Sequence, residues 1–128
     1  MTKEEIEQEL ADALGYSVTY KGRTVHGSVQ KVAKKLQTEM KHETFYVDGV
    51  SYGTVRDAVC RIGEIVEDKE SNSEMIARVK SGFGDMNPAL LVIVVSGSAV
   101  AVCAYAKEGL IKQHTAEKAI QMLKDQFR

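Results

Sequence analysis

Ala89-Leu-Leu-Val-Ile-Val-Val-Ser-Gly-Ser-Ala-Val-Ala-Val-Cys-Ala-Tyr-Ala106 carries no charge, and whether it is a strand pair or a membrane span decides the fold. About 18 such residues reach the length of a span. Three features favour strands. Residues 90–95, with Val100 and Val102, are rich in β-branched side chains, which fit a pleated surface better than a helix. Ser96-Gly97-Ser98 sits at the middle, where it makes a good hairpin turn and a weak helix interior. The flanks lack paired Lys or Arg and an aromatic belt. The run therefore reads as a buried hairpin at the centre of a sheet. Its return strand sets Ala99, Ala101, Cys103 and Tyr105 on one side, and this small-residue side is expected to face a closely packed helix.

Working outward, Thr115 is expected to cap a last helix whose apolar stripe is Ala116, Ala119, Ile120, Leu123 and Phe127. Upstream, Ser81 to Pro88 reads as a loop, because its glycines and Asn87-Pro88 break any period. Glu74 to about Lys80 reads as a short helix after the Ser71-Asn72-Ser73 capping region. At the other end, Thr2 caps a helix over residues 2–14, with Glu4, Glu5 and Glu7 at its positive pole and Ile6, Leu10 and Leu14 as its stripe.

Between these ends lies an expected internal repeat of strand–strand–helix units, 16–41 and 44–67. In the first, Tyr16–Tyr20 and Arg23–His26 flank a Lys21-Gly22 turn, and Ser28 caps a helix striped by Val29, Val32, Ala33, Leu36 and Met40. In the second, Thr44–Val47 and Val50–Tyr52 flank Asp48-Gly49, a strong hairpin signal. Thr54 then caps a helix striped by Val55, Ala58, Val59, Ile62 and Val66. The expected fold is α+β: an antiparallel sheet built from three β-hairpins, with helices packed mainly on one face. A single domain covers 1–128, with the apolar hairpin and C-terminal helix occupying 89–127.

The 128 residues are 44% hydrophobic and 27% charged, which is ordinary globular composition. Lys+Arg 17 against Asp+Glu 18 gives a net charge of −1, so no global field draws the chain to nucleic acid or membrane. Two distant cysteines make no disulfide framework, and the acidic N-terminus lacks the apolar core of a signal peptide. A reduced, cytoplasmic setting without membrane attachment is expected.

No motif identifies a reaction. Ser81-Gly82-Phe83-Gly84 lacks the Lys-Ser/Thr of a phosphate loop, and it opens a strand where a dinucleotide fingerprint opens a helix. Phe83 and Asp85 at its tip are candidate ligand contacts. Ser98 has no nucleophile-elbow pattern. His26, His42 and His114 are scattered, and the acidic run 68–74 lacks the glycine and distal glutamate of a calcium loop, so neither metal nor cofactor is expected. Cys60 lies off its helix stripe and is expected to be accessible, whereas Cys103 reads as an inert core thiol.

One asymmetry stands out. Lys21, Arg23, Lys31, Lys34, Lys35 and Lys41 face Glu39 alone, and Lys31, Lys34 and Lys35 lie opposite the apolar stripe. Such a surface can bind phosphate, yet the matching positions of the second unit are Asp57, Cys60 and Arg61. The expected function is a small non-enzymatic binding or regulatory protein that associates with itself, its further partner a protein or small ligand. The alternative is a nucleic-acid-binding accessory protein using residues 21–41.

Overall fold

The structure, a computed structural model, describes residues 2, 4–6, 37–80, 88–108 and 114–128. In chain order the elements are β1 (Gln37–Tyr46), α1 (Tyr52–Ile62), β2 (Gly63–Lys69), a 3-10 turn (Glu70–Asn72), β3 (Glu74–Lys80), β4 (Pro88–Ser96), β5 (Ala99–Glu108) and α2 (Thr115–Asp125). The strands form one antiparallel sheet in the order β1-β5-β4-β3-β2. From β1 at one edge the chain crosses with α1 to the other edge and returns strand by strand until β5 meets β1. The fold is α+β.

The decisive run is the hairpin the sequence predicts. β4 and β5 pair from Ala89↔Ala106 to Ser96↔Ala99, with Gly97 at φ +59° in the turn, a conformation that favours glycine. Among the described residues no helix is long and apolar enough to cross a membrane. Alternation then divides the sheet. Leu91, Ile93 and Val95 of β4, Val100, Val102, Ala104 and Ala106 of β5, and Met75, Ala77 and Val79 of β3 share one face. There they pack with Val55, Ala58 and Val59 of α1 and with Ala116, Ala119, Ile120 and Leu123 of α2. The helix therefore approaches the Val100–Ala106 side of β5 and not the Ala99–Tyr105 side expected from residue size. Two alanines, Ala104 and Ala106, supply the room on that side.

On the opposite face Ile76 and Leu90 form a smaller cluster with Ile6. Ile6 belongs to a helical turn opened by a reciprocal cap: Thr2 Oγ1 accepts from Glu5 N–H at 3.1 Å, and Thr2 N–H donates to Glu5 Oε1 at 3.4 Å. The Thr2 cap and buried Ile6 agree with the sequence reading, while Leu10 and Leu14 lie outside the described residues.

Four expectations are corrected. Asp48-Gly49 does turn the chain, with Gly49 at φ +71°, but no return strand follows, so the 44–52 hairpin does not form. β1 is held instead by β5, and Ser51 caps α1 immediately, its Oγ accepting from Thr54 N–H at 3.2 Å. Thr54 is thus inside the helix. Second, Met40 does not belong to a helix, because β1 begins at Gln37. Third, residues 74–80 form the inner strand β3, buried on both faces and so without the polar alternation that marks a strand. Val66, assigned to the helix stripe, lies where the β2–β3 register shifts between Ile65 and Glu67. Fourth, α2 is preceded by His114 in the left-handed region, and Thr115 is its buried first residue. The 44–67 unit is therefore strand–helix–strand. It gives the proposed repeat no support, and residues 16–36 of the other unit lie outside the described set.

Candidate functional site

Lys21, Arg23, Lys31, Lys34 and Lys35 lie outside the described residues, as do Phe83 and Asp85. Lys41, the last of the basic series, is exposed on β1. What the structure does bring together is a different set, on the sheet face opposite α1 and α2.

The ladders fix that face row by row, because residues directly opposite in a pair point the same way. Met40 stands opposite Tyr105, His42 opposite Cys103, Thr44 opposite Ala101, and Tyr46 opposite Ala99. On the other side of β5, Leu90, Val92, Val94 and Ser96 continue the same rows. Ile76 and Leu90 are covered, but Met40 is 50% exposed, Tyr46 75% and Val94 38%. From Thr44 and Tyr46 across to Val94 and Ser96 the face bears no charge. Its far margin carries Glu67 and Lys69, paired at 3.5 Å, and the Arg78–Glu64 ion pair.

Cys103 belongs to this open face. It is partly exposed, and Tyr105, two residues along, is hydrogen-bonded to it; that bond first, then burial, pushes the phenol up to about 12. The inert core thiol of the sequence reading is corrected: strand alternation puts position 103 on the face away from the helices. Cys60 is exposed, as expected.

A second polar group ties α1 to the far edge of the sheet. The Tyr52 hydroxyl donates to Asp68 and is within 3.0 Å of the Glu74 carbonyl, while Arg56 reaches Asp68 at 3.2 Å and Glu70 at 3.5 Å. Burial, followed by Asp68, raises the Tyr52 phenol to about 12, and the Tyr52 hydroxyl in turn lowers the Asp68 carboxyl. A phenol this reluctant to ionise and a carboxylate this reluctant to accept a proton suit neither base nor acid work near neutrality. The group acts as a clamp between helix, β2 and β3.

Its pH signature follows from linkage. The unfolded chain gives up a tyrosine proton near 10.0 while folded Tyr52 holds it to about 12, so this contribution is whole below 10 and fades toward 12. Asp68 contributes above the ordinary carboxylate range and loses its contribution as pH falls through its lowered value. Tyr52→Phe is expected to cost on the order of 1 kcal/mol at neutral pH and to flatten part of the alkaline decline, Tyr105 retaining the rest. Urea midpoints from about pH 9 to 12 test this, and an unchanged slope would remove the clamp.

Among the described residues no three of His, Cys, Asp and Glu stand close enough to hold a metal ion, and no buried side-chain polar atom lacks a partner. The open-face residues were missed in sequence because Met40 fitted a helical stripe and Tyr46 a hairpin. The available signal was the strict alternation Thr38-x-Met40-x-His42-x-Thr44-x-Tyr46. Comparison of the whole chain with protein-family models and with curated proteins finds no match.

Proposed function

We propose that the protein is a small non-enzymatic binding protein, cytoplasmic in setting, that works by pairing with a second copy of itself through the open end of its sheet. The observation that carries this reading is the joint exposure of Tyr46 and Val94 at one end of the open face, beside Ala99, Ala101 and Ser96. Tyrosine is enriched where proteins meet, and charge is depleted at the centres of such patches. This patch has both properties. It is also complementary to itself: Tyr46 is a ridge beside the hollow of Ala99 and Ala101, so a twofold axis seats each ridge in the other copy's hollow. A net charge of −1 sets no long-range repulsion between copies. Two free thiols agree with a reducing compartment.

Sedimentation velocity tests the reading. The wild type is expected to run as a dimer at high micromolar concentration. Tyr46→Asp and Val94→Asp, which place charge on exposed positions, are expected to run as folded monomers after losing roughly 2 kcal/mol or more of pairing energy. A monomeric wild type, or variants that still pair, would overturn it.

A further inference from the structure

We propose that Met40, His42 and Cys103 form a surface site for monovalent copper on the open face of the sheet. The register places them. His42 and Cys103 are direct partners across the β1–β5 ladder, and Met40 is the next residue of β1 on the same face. Directly opposed side chains have Cβ atoms about 5 Å apart, a gap that two metal–ligand bonds of about 2 Å span with ordinary rotamers. The diagonal from Met40 to Cys103 is longer, and the unbranched methionine side chain has the reach for it.

The donor chemistry chooses the ion. Thiolate, thioether and imidazole together make a soft set, which selects Cu(I) over the hard cations. The adjoining positions on this face are Thr44, Ala101 and Val92, which offer no carboxylate to a harder metal. A flat face supplies three donors and no enclosing cage, which suits an ion content with low coordination. Hence the site differs in kind from the His, Cys, Asp and Glu groups that are absent among the described residues. All three side chains are reachable: Met40 and His42 are exposed and Cys103 partly so. Binding forms a Cu–S bond, with the displaced proton passing to solvent and no change of oxidation state.

The test is an anaerobic competition in which the full chain withdraws Cu(I) from its coloured bicinchoninate complex. The wild type is expected to take one equivalent per chain, scored per chain so that pairing between copies does not enter. Cys103→Ser is expected to abolish uptake, and Met40→Leu and His42→Gln each to weaken it about tenfold or more. Because residues 40 and 42 are exposed, both variants keep the fold, which circular dichroism verifies. Cys60→Ser is expected to bind as the wild type does. Failure of the wild type to take Cu(I), uptake that survives Cys103→Ser, or weakening confined to the cysteine variant would each overturn the proposal. So would a preference for Zn(II) in direct competition.

Discussion

Gly63→Ala is expected to cost roughly 3 kcal/mol or more and to leave a chain that struggles to fold at all. Gly63 closes α1, its N–H bonding Val59 O, and in the same step opens β2 opposite Val79. A Cβ there would lie 2.2 Å from the Arg78 carbonyl oxygen, 3.1 Å from its carbon and 3.0 Å from Val79 Cγ2. The backbone angle is not the difficulty, since a φ of −171° is open to any residue. The obstacle is a peptide group that cannot yield, because β3 is paired on both sides, to β2 and to β4. Relief therefore requires prising β2 from the sheet or shifting the end of α1. Gly53→Ala is the control: it sits in the same helix with its nearest contact, Ser51 Oγ, at 3.9 Å, and should gain up to about 1 kcal/mol. Urea unfolding of the two variants separates crowding from propensity. Equal midpoints would refute the placement of Gly63.

Leu91→Ala is expected to cost about 4 kcal/mol, toward the upper part of the range for a fully buried leucine. Leu91 is 0% exposed in the middle of β4, and its neighbours across the ladders are Ala77 and Ala104. Alanines have no rotamers with which to fill a space, and they let the helices come close, so the cavity stays open. Val92→Ala, one residue along but on the other, partly exposed face, should cost about 1 kcal/mol. Calorimetry on the pair measures how strongly stability is concentrated on the helix-covered side. A Leu91→Ala cost below that of Val92→Ala would invert the assignment of faces.

The parts of this architecture written in local chemistry were legible. Ser96-Gly97-Ser98 between β-branched runs announced the β4–β5 hairpin, the stripe from Ala116 to Leu123 announced α2, and Thr2 with Glu5 announced a helix start. What misled was information carried by distant partners. Asp48-Gly49 looks like a hairpin turn because the turn is real; only the pairing of β1 with β5 says that no return strand is needed. Residues 74–80 look helical because a strand buried on both faces shows no alternation, and its second cover is Leu90 and Ile6. The same blindness hid the open face. Which side of β5 meets the helices depends on how α1 and α2 settle over the sheet, so residue size alone pointed to the wrong side for Ala101 and Cys103.

The crossover of α1 has a kinetic meaning. β3, β4 and β5 are each neighbours of the strand before, so their ladders close over short stretches of chain. The ladder between β1 and β5 joins segments separated by about fifty residues, and loop-closure entropy makes it the expensive pairing to nucleate. β1 is therefore the last plank laid in the sheet. Because Met40, His42 and Tyr46 all ride on that plank, the face they create with β5 does not exist in a half-assembled chain. An unfinished molecule lacks the very surface on which the proposed pairing depends.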